Sequence, residues 1–218
     1  MPDSQPLDVA ALRREYASDG LDESTADPDP FVQFRGWLDA AVAADILDPN
    51  AMVLSTVTQD GAAPSARTVL LKGLDDRGFA FFTNQRSRKA RELAAVRQAS
   101  LLFAWIALGR QVIVRGAVRE VGAAEADAYF AGRPRGSQLA AWASQQSEVA
   151  PDRATIEQAM ASTTARFGES AVPRPPHWGG YRVTPAQIEF WQGRPNRLHD
   201  RLRYRLDGGD WTIERLWP

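Results

Sequence analysis

The 218-residue sequence contains no cysteine. A chain without cysteine has no disulfide bond, no thiol nucleophile and no cysteine-ligated metal site. It also lacks a run of about 18 apolar residues, which a membrane-spanning helix needs, and its first ten residues lack the basic-then-apolar order of a signal peptide. These absences favour a cytoplasmic enzyme or binding protein that does not enter a membrane.

Two common nucleotide-binding motifs are also missing. The sequence contains neither G-x-G-x-x-G nor G-x-x-x-x-G-K-[ST], so a Rossmann or P-loop enzyme is unlikely. There are only two histidines, His177 and His199, and no metal-ligand spacing joins them. We therefore expect no metal site, and we interpret His177 as structural.

The net charge of −1 conceals an uneven distribution along the chain. Residues 1–64 hold 3 basic and 12 acidic residues, whereas residues 65–135 hold 13 basic and 6 acidic ones. A basic middle third indicates an anionic ligand. The basic residues alternate with strand-like apolar residues and do not form a tail, which favours a phosphorylated small molecule over nucleic acid.

The hydrophobic pattern predicts a mainly β, α+β fold. Tight turns such as those at 59–61 and 75–78 join the early strands too closely for a parallel sheet. We expect a closed antiparallel barrel decorated with helices. The expected strands are 51–58, 66–72, 79–83, 100–106, 111–121, 187–192, 199–206 and 210–216, and the expected helices are 7–16, 31–46, 86–96, 123–130, 137–145 and 152–167.

Two domain-level expectations follow from the N-terminal region. Residues 1–30 are predicted to form a mobile N-terminal segment, because an acidic, proline-rich link separates them from the rest. Residues 31–218 are predicted to form one domain. Asp29 is a plausible N-cap for the helix that follows, with Pro30 at its first position.

A stripe of cations near the C-terminus is the first candidate site. In a strand with period two, Arg197, His199 and Arg201 share one face, while Leu198 and Leu202 lie on the other. Such a face suits an anionic or electron-rich planar ligand. A solvated edge strand whose arginines deter aggregation is the competing interpretation.

Two further groups could bind phosphate. Tyr129 and Arg133 are four residues apart at a helix end, and Ser137 is a natural N-cap for the next helix, so a phosphate could meet a guanidinium, two hydroxyls and a helix N-terminus. A basic cluster, 86–89, opens another helix after Thr83, where cations oppose the helix dipole unless an anion is present. Ordinary capping and a solvated basic helix start are the competing interpretations.

Several separated motifs closely resemble the pyridoxine/pyridoxamine 5′-phosphate oxidase family. The C-terminal ones are 178–182 (WGGYR), 187–193 (QIEFWQG) and 197–201 (RLHDR). The others are 12–16 (LRREY), 67–72 (RTVLLK), 87–89 (SRK), 110–112 (RQV) and 129–147. Together they span nearly the whole chain in the family's order. The resemblance implies an antiparallel split barrel that binds FMN and a homodimer with two FMN sites at the subunit interface.

The resemblance also implies roles for individual residues. The implied FMN contacts are Arg67, Thr68, Val69, Leu70, Leu71, Lys72, Phe82, Thr83, Arg88, Lys89, Gln111, Gln146, Ser147, Trp191 and Arg201. The implied substrate contacts are Lys72, Tyr129, Arg133, Ser137, Arg197 and His199, joined by Arg13 and Tyr16 from an N-terminal segment that can close over the site. Arg197 and His199 are the implied catalytic pair. Phe82 departs from the family, in which tyrosine is frequent, so a hydroxyl contact is lost there.

The implied reaction is hydride transfer from C4′ of pyridoxine or pyridoxamine 5′-phosphate to flavin N5, with O₂ as electron acceptor and hydrogen peroxide as by-product. The product is pyridoxal 5′-phosphate. Three alternatives stay open: a same-fold flavin oxidase for another aromatic such as a phenazine precursor, a split-barrel reductase or carrier that uses a deazaflavin, and a non-catalytic protein that binds FMN or pyridoxal phosphate.

Overall fold

An antiparallel sheet of nine strands curls around the core in a computed structural model, which describes residues 8, 9, 12, 15, 16 and 20–218. The strands are β1 (Ala51–Val57), β2 (Pro64–Leu70), β3 (Gly73–Asp75), β4 (Gly78–Asn84), β5 (Gln98–Trp105), β6 (Arg110–Glu120), β7 (Trp178–Gln192), β8 (Asp200–Asp207) and β9 (Asp210–Arg215). The helices in this part of the chain are α1 (Pro30–Ala43), α2 (Arg88–Ala95), α3 (Ala123–Ala131), α4 (Arg135–Ala143) and α5 (Arg153–Phe167). The expected α+β class with an antiparallel half-barrel sheet and helical decoration is confirmed.

The strand order places β7 at the centre of the architecture. The sheet runs β2-β1-β5-β6-β7-β4-β3, and β8 pairs with both β7 and β9. The first half of β7 pairs with β4, from Trp178 to Val183, and the second half pairs with β8, from Gln187 to Gln192. β6 follows β7 along its other edge. One strand therefore connects two different regions of the molecule.

The sequence predicted only the second half of β7. The first half contains Gly179, Gly180 and Pro185, residue types that are disfavoured inside a strand, but a proline is compatible with a strand at a bulge. Pro185 lies opposite Gly116, where the register of β6 against β7 shifts. A Cβ atom on Gly116 would overlap the carbonyl oxygen of Thr184, so this close approach of two backbones requires glycine. The short strand β3 was also missed.

The structure tests the capping predictions for α1 and α4. Asp29 caps α1 as expected, since its side chain accepts a hydrogen bond from the Phe31 amide at 2.8 Å, and Pro30 is the first helical residue. The prediction that Ser137 caps α4 is wrong. The helix begins at Arg135 with Pro134 as N-cap, and the Ser137 amide already donates to the Pro134 carbonyl. Proline suits such a start because its φ is preset and it has no N–H to satisfy.

Two buried clusters hold the fold together. The larger one fills the barrel and is rich in aromatic rings, with Phe34 of α1 packed edge-on against Phe79 and Phe103 at centroid distances of 4.9 and 4.8 Å. The smaller one comprises Phe130, Leu139, Ala141, Val172 and Trp178. It fixes α3 and α4 against the start of β7, and this junction forms the first cleft described below.

The described part of the N-terminal region contacts the C-terminal strands. Leu21 is buried in the main cluster, and its amide donates to Asp200 Oδ2 at 3.0 Å. The Tyr204 hydroxyl donates to the Asp27 carbonyl at 2.7 Å. Half of the predicted helix 7–16, including Arg13, lies outside the described residues, and a domain boundary at residue 30 stays a prediction. Among the described helices, none is long and apolar enough to cross a membrane.

The buried guanidinium of Arg182 gives a stability prediction. It donates to Asp75 at 2.7 Å and to Glu125 at 2.6 Å, joining the β3–β4 hairpin to the first turn of α3. We expect Arg182→Ala to lower the free energy of unfolding by about 2–3 kcal/mol, because two carboxylates lose a buried partner yet stay partly hydrated. Urea denaturation measures this change.

Arg77 supplies the control for that prediction. It pairs with the same two carboxylates, but its side chain is 63% exposed. Arg77→Ala should therefore change the free energy of unfolding by less than about 1 kcal/mol. Equal losses in the two variants would contradict the assignment of Arg182 as the structural link.

Candidate active site

A cleft of about 460 Å³ lies where β2 and β4 meet α3 and α4. Its walls are Arg67, Thr68, Val69, Leu70, Lys72, Phe82, Thr83, Asn84, Lys89, Tyr129, Arg133, Ser137, Ala140, Ala141, Ser144, Gln146 and Trp178. The chain has only two lysines, Lys72 and Lys89, and both line this cleft. The cleft thus gathers most of the residues that the sequence assigned to phosphate binding.

The first cationic group of the cleft consists of Lys89 and Arg67. The Nζ of Lys89 donates to Gln146 Oε1 at 2.9 Å and to Thr83 Oγ1 at 3.3 Å, although its side chain is buried. Burial, and then the nearby charge of Arg67, lower the pKa of Lys89 below its usual value. Lys89 and Arg67 are two neighbouring cations with one carboxylate, Glu92, beside them, and a bound phosphate would supply further negative charge.

Arg67 is held rigidly beside Lys89. Its Nη1 donates to Thr56 Oγ1 at 2.5 Å and to the Leu54 carbonyl at 3.2 Å, while Nη2 lies 3.2 Å from Glu92 Oε2. The guanidinium therefore has little freedom to move. This makes it suited to bind an anion without a large loss of side-chain entropy.

The second cationic group lies at the α3–α4 end of the cleft. The Arg133 guanidinium stacks over the Trp178 ring, 4.8 Å from its centroid, and burial lowers the pKa of Arg133. Within the described part of the chain, Arg133 Nη1 is the one buried side-chain nitrogen or oxygen without a hydrogen-bond partner. An unsatisfied charged donor at a cleft wall is costly, so this atom indicates an anionic ligand.

Three rings form a layered wall next to Arg133. Phe82 stacks on Tyr129 at 4.1 Å and lies 5.6 Å from Trp178, with all three planes within 9° of parallel. Burial raises the pKa of the Tyr129 phenol, so its hydroxyl stays protonated and can donate. Phe82 contributes a ring face here, and its missing hydroxyl is no defect in this packing.

Regular strand alternation would place Arg67 and Lys72 on opposite sides, yet both line the same cleft. The reason is that β2 ends at Leu70, before the alternation would reach Lys72. The preceding residue, Leu71, is buried in the core, so it does not line the cleft.

A second cavity, of about 660 Å³, lies near the C-terminal end of β7. It is lined by Leu12, Glu15, Tyr16, Arg194, Asn196, Arg197 and His199. His199 Nδ1 accepts a hydrogen bond from the Arg194 amide at 3.1 Å, which leaves the proton of the neutral ring on Nε2. The Trp191 ring lies 4.6 Å from the imidazole.

The predicted strand face that joined Arg197, His199 and Arg201 does not exist. β8 begins at Asp200, and the preceding Pro195–Arg197 segment is a single 3-10 turn in which Asn196 and Arg197 have φ of 55° and 61°. Left-handed backbone breaks the two-residue period. Leu198 consequently does not face the core and is 67% exposed. His199 and Arg197 still share a cavity, but through a turn.

Tyr16 enters this cavity through a slot made by two glycines. Its ring lies edge-on to Trp191 and His199 at 5.6 and 5.8 Å. A Cβ on Gly193 would overlap the Tyr16 ring, and one on Gly109 would come within 2.7 Å of it. The Gly193 amide donates to the Gly109 carbonyl at 2.7 Å, which holds the slot together.

The remaining predicted residues lie around these two regions. Gln111 is paired with Trp191, and Trp191 with Arg201, on adjacent strands. Arg201 donates to Glu189 Oε1 at 2.8 Å and to the Trp217 carbonyl. Arg88 pairs with Glu92 at the outer edge of the first cleft, and Ser147 follows Gln146 with a φ of 75°. Arg13 lies outside the described residues.

Sequence reasoning missed several residues of the first cleft. Trp178 and Asn84 line it, and Glu92 lies behind Arg67. Trp178 could have been found, since it opens the WGGYR motif, but the motif alone gives no role to the ring. Among the described residues there is no group of three or more histidine, cysteine or acidic side chains that could hold a metal ion.

The two regions lie at opposite ends of β7. Trp178 begins that strand beside the first cleft, and Trp191 near its end contacts the second cavity. Thirteen residues of extended strand cover up to about 43 Å at roughly 3.3 Å per residue, although the bulge shortens this path. No described residue lines both the first cleft and the second cavity.

Comparisons with known proteins agree on one family. The family model described as pyridoxamine 5′-phosphate oxidase matches residues 38–167, and the model described as the pyridoxine 5′-phosphate oxidase C-terminal dimerisation region matches residues 178–218. Pyridoxine/pyridoxamine 5′-phosphate oxidase from Rubrobacter xylanophilus is 56% identical over the full length of both chains. The protein of that name from Thermosynechococcus vestitus is 59% identical over 96% of this chain and 99% of its own.

Solved structures support the same fold. The crystal structure of PhzG from Burkholderia lata, in complex with tetrahydrophenazine-1-carboxylic acid, has a TM-score of 0.85 and 36% identity, covering 92% of this chain and 98% of that one. A pyridoxamine 5′-phosphate oxidase-related, FMN-binding protein from Nostoc punctiforme has a TM-score of 0.68 over 85% of this chain and 97% of its own. At 16% identity, the second shows likeness of fold alone.

Proposed function

The chain belongs to the pyridoxine/pyridoxamine 5′-phosphate oxidase family of oxidoreductases, and from this membership and the two regions of the site we propose its reaction. The protein binds FMN and oxidises pyridoxamine 5′-phosphate and pyridoxine 5′-phosphate to pyridoxal 5′-phosphate. O₂ is the electron acceptor and hydrogen peroxide the by-product. FMN would supply the two-electron chemistry by taking up the electrons from the C4′ carbon and returning them to O₂.

The unsatisfied guanidinium of Arg133 is the observation that carries this proposal. Arg133, whose buried Nη1 has no hydrogen-bond partner, lines a cleft that also presents Lys72, the protonated Tyr129 hydroxyl and Ser137. Two cations and two hydroxyls match the charge and acceptor number of a phosphate monoester. We assign these four residues to the substrate phosphate, which selects phosphorylated pyridines over free ones.

The first cationic group fits the flavin cofactor. Lys89 and Arg67 are two neighbouring cations without a full counter-charge, and the phosphate of FMN would supply it. Thr83 and Gln146, which now bond to Lys89, add polar contacts. Thr68 through Lys72 line or flank the same wall. Arg88 at the outer edge and Ser147 after Gln146 complete the proposed set around this phosphate.

The second region carries the proposed catalytic pair. Arg197 would cover the pyridine ring of the substrate, and His199 would lie at its reacting side with a proton held on Nε2. Tyr16 would close the cavity and exclude water from it. Trp191, Gln111 and Arg201 would contact the flavin from this side.

A second copy of the chain would complete the site. The phosphate-binding cleft and the Arg197–His199 cavity lie at opposite ends of β7 and share no described lining residue, which supports a site built from two chains. The chain carries the family's C-terminal dimerisation region at residues 178–218. We therefore propose a homodimer with two sites at the interface, each built from the cleft of one copy and the cavity of the other.

The likeness to PhzG favours a phenazine precursor as the second candidate substrate. That structure is 36% identical to this chain, against 52–59% for the relatives named pyridoxine/pyridoxamine 5′-phosphate oxidase. The cluster around Arg133 supports the first candidate, since a carboxylated tricyclic molecule without phosphate leaves part of that cluster unused. The oxidation of a phosphorylated pyridine is the better match.

The proposal predicts strong selection for phosphate. We expect the purified protein to show flavin absorbance and to produce peroxide from pyridoxine 5′-phosphate and O₂. Free pyridoxine should react with a kcat/KM at least about 100-fold lower, because it forgoes two charge-assisted contacts. Arg133→Met should shrink this ratio severalfold. A deazaflavin spectrum, absence of peroxide, or equal turnover of free pyridoxine would each refute the proposal.

A further inference from the structure

Glu92 is a buried carboxylate to which the proposed reaction gives no role. It lies in α2, one turn after Arg88, and accepts four hydrogen bonds from three elements. The donors are Thr56 Oγ1 at 2.5 Å, Ser65 Oγ at 2.7 Å, Arg88 Nε at 2.8 Å and Arg67 Nη2 at 3.2 Å. Its side chain is 6% exposed. One carboxylate therefore ties α2 to both β1 and β2.

The carboxylate of Glu92 stays ionised despite its burial. Burial alone would raise its pKa, but the hydrogen bonds from Thr56, Ser65 and Arg88 and the charge of Arg67 outweigh burial and lower the pKa to about 2. Both carboxylate oxygens of Glu92 thus accept hydrogen bonds from neighbouring side chains. Glu92 is therefore an ionised acceptor at neutral pH.

The position of Glu92 determines where two cleft cations stand. Lys89 precedes it by three residues on the same helix, and Arg67 lies on β2. Both side chains line the cleft, and each disfavours the other's charge. Something must hold these two like charges side by side before an anion arrives. The hydrogen bonds that Glu92 accepts from Arg67 and Ser65 hold Arg67 in place, and the backbone of α2 holds Lys89.

We propose that Glu92 is a positioning residue for the FMN phosphate, acting through Arg67 and α2 without touching the cofactor. This inference rests on the proposed function of the cleft. Two effects of the carboxylate oppose each other: its negative charge weakens the binding of an anion, whereas its geometry prepares the cations for that anion. A useful experiment must separate charge from geometry.

The pair Glu92→Gln and Glu92→Ala makes this separation. Both substitutions remove the same charge, but glutamine keeps an oxygen that can accept from Thr56, Ser65 and Arg67. The FMN Kd of the alanine variant should exceed that of the glutamine variant about tenfold, the effect of losing one fixed cation contact. For riboflavin, which lacks the phosphate, the two variants should bind alike. Quenching of flavin fluorescence measures each Kd.

Three controls keep the test decisive. Arg153 and Glu157 on α5 form a pair with the same spacing and the same 2.8 Å distance, but exposed to solvent; Glu157→Ala and Glu157→Gln should bind both flavins like the unmodified protein. The unmodified protein must itself bind FMN more tightly than riboflavin. If it does not, the proposed function of the cleft is refuted, whatever the Glu92 variants show. If Glu92→Ala does not fold, Ser65→Ala replaces it, with an expected FMN-specific loss of about threefold and no change in charge.

The outcomes that would overturn the assignment are specific. Equal FMN Kd values for the alanine and glutamine variants would show that geometry at residue 92 is irrelevant. An equal loss for FMN and riboflavin would show general damage to the cleft. Either result removes Glu92 from the phosphate site, while leaving the FMN preference of the unmodified protein intact.

Discussion

Mixed dimers that contain one Arg133→Ala chain and one Arg197→Ala chain should recover about half of the activity of the unmodified dimer, because a two-fold dimer with shared sites leaves one of its two sites intact. Each variant alone should be nearly inactive. Loss of Arg133 would remove a proposed phosphate contact, and loss of Arg197 the group proposed to cover the ring, each at a cost of about 100-fold in kcat/KM. Co-expression with two affinity tags and purification through both isolates the mixed dimer.

A second mixture provides the matched control. Arg197→Ala and His199→Asn affect the same cavity, so every site of that mixed dimer carries one defect and activity should stay low. Recovery in the first mixture but not in the second would establish that the cleft and the cavity of each site come from different copies. Low activity in both mixtures would contradict the shared site and require one chain to present both regions.

The second large effect concerns the cofactor. Lys89→Met should raise the FMN Kd about 100-fold, because a buried ammonium with fixed partners is lost from the phosphate site. The variant should lose its yellow colour during gel filtration while the unmodified protein keeps it. Arg91→Met removes the same charge from the same helix, but Arg91 pairs with Glu148 at the surface; we expect its FMN Kd to stay within about threefold.

The pH dependence of FMN binding tests the same residue. Burial and the charge of Arg67 lower the pKa of Lys89, so in the ligand-free protein this lysine loses its proton at a lower pH than an ordinary lysine does. Only the protonated form attracts phosphate, so FMN affinity should fall as the pH rises through that lowered pKa. Lys89→Met should lack this alkaline fall. An identical pH profile for the two proteins would contradict a role for Lys89 in phosphate binding.

The sequence predicted the start of α1 because its signals are local. Asp29 and Pro30 are adjacent residues whose side chains fix the backbone around them, and tertiary contacts did not alter the result. The family motifs likewise identified the residues of the first cleft, since Lys89, Tyr129 and Arg133 all line it. Contacts within a few residues, and motifs that specify chemistry, can be recognised without the fold.

The errors have a common physical cause, which is long-range packing. The sequence did not predict the first half of β7, which contains Pro185, but the bulge opposite Gly116 accommodates that proline. Arg197 was placed in a strand, but the backbone at Asn196 and Arg197 turns left-handed. Glu92 carries no signal of its own in the sequence, because the donors that surround it come from β1, β2 and α2. Only the assembled sheet brings them together.

The distribution of lysine has a practical consequence for chemical labelling. Apart from the terminal amine, the chain's only primary amines are those of Lys72 and Lys89, and both line the first cleft. Besides the terminal amine, reagents that acylate or reductively alkylate amines can therefore modify only the proposed ligand site, and they leave the arginine side chains untouched. Amine coupling to a solid support would attach the protein through its terminal amine or inactivate it, whereas protection of the two lysines by a bound ligand would report occupancy by mass alone.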